Sequence, residues 1–188
     1  MQSVTIKLKS FGNAPGLLSN GYALVANAGL SSVLGLVFWL LATRLFPQDQ
    51  VGLGAAMISS MMSVSYLSQM NLSSLLVRFL PMAGRQAKRL ILYAYSCAAV
   101  VSALAAFAFA SGVGLFAEPL EVLKEDPITT ALFVGAVTIW SLFALQDAAF
   151  SGMRRSVVVP VKNAAYAASR IAALAGLALV VVLPANGI

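Results

Sequence analysis

Between Lys9 and Arg44 the chain carries no charged residue, and that stretch includes "NGYALVANAGLSSVLGLVFWLLAT". A helix needs about 20 residues to cross roughly 30 Å of hydrocarbon, so a run this long and apolar reads as a membrane span. Four further runs follow, starting near Gly52, Leu90, Pro127 and Val161. The expected spans are 18–44, 52–77, 89–116, 127–152 and 161–183. Asp126 before Pro127 is a helix start, with an acceptor side chain at the cap and a ring that needs no N–H in the first turn. The expected fold is an all-α integral membrane protein, one transmembrane domain over 1–188 built as a bundle of about five helices. Composition agrees: 60% of residues are hydrophobic and 10% charged, against about 45–50% and 25% in soluble domains.

Several functional classes drop out at this point. The net charge of +6 comes from cations scattered between uncharged runs, which makes no basic domain for nucleic acid. With no histidine and a single cysteine, Cys97, the chain forms no internal disulfide and no usual zinc site, and no cofactor is expected. Cys97 itself reads as a small buried apolar residue. The N-terminal stretch lacks a small-residue cleavage site after a short apolar core and reads as an uncleaved first span.

Lysine and arginine fall unevenly between the runs. Lys7 and Lys9 precede the first; Arg78, Arg85, Lys88 and Arg89 separate the second and third; Arg154 and Arg155 separate the fourth and fifth. The alternate loops hold only Arg44 and Lys124, and "EPLEVLKEDP" is acidic. The positive-inside rule places the N-terminus in the cytoplasm and the end of the fifth span outside. Tyr93 and Tyr95 suit an interfacial belt.

The polar residues within the spans are the candidate functional groups. Ala23, Asn27, Ser31 and Gly35 recur every four residues in the first span and form one small, polar face. Such a face serves close helix packing or, through Asn27, a wet cavity. In the second span Ser59, Ser63, Tyr66, Gln69 and Ser73 make a longer polar stripe, suited to lining a water-filled path. Asp147 lies seven residues before Arg154 and Lys162 seven after Arg155, so a hairpin about that turn brings both to one depth, about 10 Å in. Each charge alone costs about 2.5–3.5 kcal/mol at a helix centre, and pairing offsets part of that. The pair reads as a structural ion pair, a snorkelling lysine or a coupling-ion site. Arg170 sits about 22 Å beyond the turn, too deep to snorkel, with Asn163 and Tyr166 on nearly the same face. An aromatic such as Trp140 is one satisfaction for it, and a phosphate, which guanidinium binds bidentately, is another.

The order "LGLVFWLLATRLFPQDQVGLGAAMIS", "NLSSLLVRFLPMAG", a basic stretch, an alanine-rich span and "LQDAAFSGMRRS" resembles the N-terminal part of Wzx-like polysaccharide flippases of the multidrug/oligosaccharidyl-lipid/polysaccharide exporter superfamily. The most specific piece comprises Ala42, Arg44, Leu45, Pro47, Asp49, Val51 and Gly52; Asn71 stands where the family commonly has glycine. The resemblance implies a bacterial cytoplasmic (inner) membrane protein forming most of the first of two rocking lobes. It implies a polyprenyl-diphosphate-linked oligosaccharide as substrate, in contact with membrane lipids, and polysaccharide polymerase and chain-length proteins as partners. Candidate substrate contacts are then Arg170, Tyr166, Asn163, Gln69, Tyr66 and Asn27, with Arg44 an interfacial anchor or an outer-rim cation and Asp147 and Lys162 an ion pair or coupling site. The alternatives are a cation-coupled multidrug exporter of the same superfamily, which calls for a carboxylate-rich cavity, and a non-transporting assembly subunit. An enzyme would need juxtaposed nucleophilic, acidic or metal-binding groups. The acidic loop, with Glu118, Glu121, Glu125 and Asp126, offers no histidine or arginine partner and reads as a solvated outer loop. An odd number of spans ending in "VVLPANGI" leads us to expect a fragment of a longer transporter.

The charge pattern makes a topological prediction. Single cysteines introduced near Arg85 and Arg154 react with an impermeant maleimide only from the cytoplasmic side, and one near Glu121 only from outside; the reverse pattern refutes the orientation.

Overall fold

The computed structural model of the chain describes residues 14–115 and 117–185. Among these, seven α-helices and four short 3-10 turns account for nearly all of the chain, and no strand occurs. The helices are α1 (Ala14–Leu45), α2 (Gln48–Ser68), α3 (Leu72–Phe79), α4 (Ala87–Gly112), α5 (Val122–Glu125), α6 (Pro127–Gly152) and α7 (Val158–Ala185). Four are long and apolar enough to cross a membrane, α1, α2, α4 (with the turn before it) and α6, so the molecule is a multi-pass membrane protein. The expected fifth span, 161–183, falls on α7, and the count of four rests on the described side chains, which on α7 end at Leu179. Lys7 and Lys9 lie outside the described residues.

Helix ends follow local chemistry. Asp126 caps α6, its carboxylate accepting from the N–H groups of Ile128 at 3.2 Å and Thr129 at 3.3 Å, with Pro127 opening the first turn. At the other end Arg154 is left-handed (φ 57°). The Arg155 N–H bonds the Phe150 carbonyl at 2.8 Å and the Arg154 N–H that of Ser151 at 3.0 Å, the paired bonds of a Schellman stop. The run expected to cross as one helix over 52–77 is instead broken: α2 ends at Ser68, Met70 and Asn71 take positive φ (45° and 64°), and α3 starts at Leu72. Asparagine is among the few residues with a side chain that tolerate this region, so Asn71 makes the bend without a glycine.

The interior is organised about α6, which touches α2, α3, α4 and α5. Its principal partner is α4, whose buried residues are Ala94, Ala98, Ser102, Ala106 and Ala110, one every four positions. This ladder of small side chains lets the two backbones approach closely, the usual means of association where lipid tails compete for every apolar contact. Opposite stand Phe133, Val137, Ser141, Leu145, Ala148, Ala149 and Gly152 of α6. Two apolar clusters result. One joins Val64 of α2 to Ala106, Ala110, Val113, Leu120, Leu123, Phe133 and Val137; the other joins Leu76 and Leu80 to Ala94, Ala98, Leu145, Ala148 and Ala149.

Two expectations are corrected by this packing. The acidic loop is not simply solvated: it folds into a 3-10 turn and α5, and buries Leu120 (5% exposed) and Leu123 (0%) as a plug on the first cluster. The Thr130 hydroxyl donates to the Leu123 carbonyl and ties the plug to α6. The side chains of Glu118 and Glu125 lie outside the description. Cys97 is exposed, not buried. On α4 it adjoins Ala98, which holds the buried ladder, and so falls on the outward surface shared with Leu92, Val100, Leu104 and Phe107.

Where α3 crosses the end of α6, an added Cβ on Gly152 would lie 2.8 Å from the Leu76 carbonyl oxygen and 3.1 Å from Leu80 Cβ. Backbone cannot step aside as a flexible side chain can, so Gly152→Ala is expected to cost about 1–3 kcal/mol. Gly135→Ala meets nothing within 4 Å and serves as the control that keeps or raises the melting temperature in detergent.

Candidate functional site

The remaining helices, α1 and α7, pack chiefly on each other. They run parallel, because Asn27 meets Asn163 and, further along both, Phe38 meets Arg170. Neither lies flat on the α2/α4/α6 body: α1 touches α2, and α7 touches α6, over short stretches only. The hairpin expected between the fourth and fifth spans is therefore close at its turn and open beyond it. The opening is a cleft of about 280 Å³ lined by Ser31 and Gly35 of α1, Tyr66 of α2, Trp140, Phe143, Ala144 and Asp147 of α6, and Asn163, Tyr166, Ala167 and Arg170 of α7.

A polar network closes the end of the cleft nearest the α6–α7 turn. Lys162 Nζ lies 2.6 Å from Asp147 Oδ1 and donates at 2.9 Å to the Phe143 carbonyl, while sitting 3.6 Å from the centre of the Phe143 ring. Asn163 Nδ2 is placed at 3.1 Å from both Asp147 Oδ2 and Asn27 Oδ1, so one amide joins α7 to α6 and to α1. The two charges share a depth because both lie about 6–8 Å from the helix ends at the turn, by residue count. The only ion pair among the described residues is this one.

Deeper along α7 the lining turns aromatic. Trp140, Phe143 and Tyr166 form a cluster with ring centroids 5.0–5.6 Å apart. Arg170 lies beyond it, about 18 Å from the start of α7 at Val158. Its guanidinium stacks on Phe38 of α1, 3.8 Å from the ring centre, and not on Trp140. Stacking occupies a face of the guanidinium and leaves its in-plane N–H donors free. Its Nε is buried and donates to nothing among the described residues, and the same holds for Trp140 Nε1. Among the described residues no carboxylate pairs with Arg170. The site is thus a cationic fork, pre-oriented by an aromatic face, at the deep end of a cleft whose one carboxylate is already engaged by a lysine. Such an arrangement offers hydrogen bonds to an anionic oxygen-rich group and little to a cation.

The residues singled out from sequence divide as follows. Arg170, Tyr166, Asn163 and Tyr66 line the cleft, as does Asp147. Asn27 reaches it through Asn163, and Lys162 through Asp147. Gln69 does not belong to it: the residue is 5% exposed, its carbonyl accepting from Ser73 at 2.8 Å beside the α2–α3 break. Gln69 is drawn inward with Ser65 and Ser68, whereas Ser59 and Ser63 of the same expected stripe face outward. Arg44 is exposed at the end of α1 and is not part of the lining. Phe38 and Phe143, central to the site, escaped notice because a phenylalanine in an apolar run looks like any lipid-facing residue.

The network makes a thermodynamic prediction. Asp147→Asn leaves Lys162 without its carboxylate and lowers stability by about 1–3 kcal/mol, while adding Lys162→Gln restores part of the loss; equal or additive losses in a double-mutant cycle contradict the pairing. Comparisons with protein-family models, with curated proteins and with solved structures found no match to this chain.

Proposed function

We propose that the protein translocates a polyprenyl-diphosphate-linked oligosaccharide across the bacterial cytoplasmic membrane, as part of cell-surface polysaccharide synthesis, with the N-terminus in the cytoplasm. The observation that carries the reading is Arg170, a guanidinium held by Phe38 with unclaimed donors in a cleft between helices. A diphosphate presents the oxygen acceptors this fork fits, and the lipid tail of such a substrate stays in the bilayer while its headgroup needs a polar route. The sequence resemblance to Wzx-like flippases supports the same substrate class. Alternating access would come from rocking of the α1/α7 pair against the α2/α4/α6 body, whose contacts are sparse outside the polar network. Asn163, Tyr166, Tyr66 and Asn27 would meet the first sugars. The multidrug-exporter alternative is disfavoured because Asp147, the sole carboxylate of the cleft, is spent on Lys162.

Translocation of a fluorescent polyprenyl-diphosphate-linked sugar by the full-length protein in proteoliposomes tests the proposal. Arg170→Ala is expected to reduce the rate at least about tenfold with unchanged membrane abundance, consistent with loss of a charge-assisted contact of about 1.5–3 kcal/mol. Arg170→Lys restores the charge but not the fork and recovers only part of the rate. Full transport by Arg170→Ala overturns the site, and loss of the folded protein returns Arg170 to a structural role in holding α1 on α7.

A further inference from the structure

A second groove lies where the chain at the end of α3 crosses the start of α4. One wall is a helical stripe, Gln86, Arg89, Leu90 and Tyr93, at spacings of three and four residues; the other holds Phe79 and Met82. The groove measures about 420 Å³. Along α4 the stripe is graded. Gln86 and Arg89 stand at the helix start, and Leu90 and Tyr93 follow towards the apolar body of a span that runs to Gly112. Phe79, Met82 and Tyr93 are large apolar or amphipathic side chains left 47%, 71% and 71% exposed.

The charge about this groove is one-sided. Arg78, Arg85, Lys88 and Arg89 fall within one short segment, and the sequence from 50 to 117 contains no aspartate or glutamate. All four are exposed, and none pairs with a carboxylate among the described residues. Arg78 sits over the Phe79 ring at 5.5 Å, which places a further cation at the mouth of the groove. A ligand that complements these features has an anionic head at the end of α4 and an apolar chain running along its axis.

We propose that this groove is a binding site for an anionic glycerophospholipid, whose phosphate meets Arg89 and Gln86 within the field of Arg85 and Lys88 and whose acyl chain lies over Leu90, Tyr93, Phe79 and Met82. Clusters of cations beside a membrane span take anionic headgroups in this way. The site does not depend on the nature of the transported cargo and shares no residue with the cleft. A lipid seated here would bridge the α3 side of the break at Met70–Asn71 to α4 and steady the body against which α1 and α7 move.

The test counts lipids retained by the purified full-length protein in native mass spectra, with dioleoyl phosphatidylglycerol and dioleoyl phosphatidylcholine titrated separately. The phosphatidylglycerol adduct is expected at concentrations at least about tenfold below the phosphatidylcholine one. Arg89→Gln weakens it about fivefold, and the triple change Arg85→Gln, Lys88→Gln, Arg89→Gln on the order of a hundredfold, with phosphatidylcholine unaffected. Arg44→Gln, in the last turn of α1 and outside the groove, changes nothing. Melting curves accompany each variant, and the single Arg89→Gln carries the test if the triple variant loses its helices. Equal retention of the two lipids, no change in the variants, or displacement of phosphatidylglycerol by equimolar soluble glycerol 3-phosphate overturns the proposal, the last by assigning the site to a free phosphate.

Discussion

The close approach of α4 to α6 is the contact on which the rest is built. In lipid there is no hydrophobic gain from pressing one apolar helix on another, so association depends on dispersion at short range. A face reading Ala94, Ala98, Ser102, Ala106 and Ala110 brings the backbones near enough for that, and a leucine at any of these positions would hold them apart. Once the pair is made, α6 becomes the surface for α2, for α3 across Gly152, and for the α5 plug over its first turn.

The α1/α7 pair is held by different physics. It meets the body over little area and is fastened there by the carboxylate of Asp147, which takes Lys162 and the Asn163 amide, and by Tyr166 against Trp140 and Phe143, while Asn27 joins the network from within the pair. These bonds are directional and break as a set. They are strong in a low-dielectric setting and are lost steeply when one partner is displaced. An anion at this end of the cleft would compete with Asp147 for the lysine. Arg170, beyond the aromatic cluster, is oriented by Phe38 across the α1–α7 contact, so any movement within that pair moves the fork itself.

Helix positions and ends were largely legible in the sequence, because in a bilayer backbone groups must bond within the segment and apolar length alone reveals it. The Asp126–Pro127 start and the arginine-bearing turn rest on local chemistry and could be read directly. The depth shared by Asp147 and Lys162 followed from counting residues on either side of that turn. The break between α2 and α3 was less legible: apolarity runs through it unchanged, and only Asn71 marks it.

What tertiary structure alone decided is which faces meet. Periodicity places Gln69 in a stripe with Tyr66, yet the packing of α2 on α4 and α6 pulls Gln69 inside and leaves Tyr66 at the cleft. Cys97 had the composition of a core residue and faces outward, because one turn of α4 holds only one position for the ladder. The pairing of α1 with α7, and with it the partner of Arg170, joins residues more than a hundred positions apart. A single sequence records what each helix can present; the contacts of whole helices choose among those faces, and the site arises from that choice.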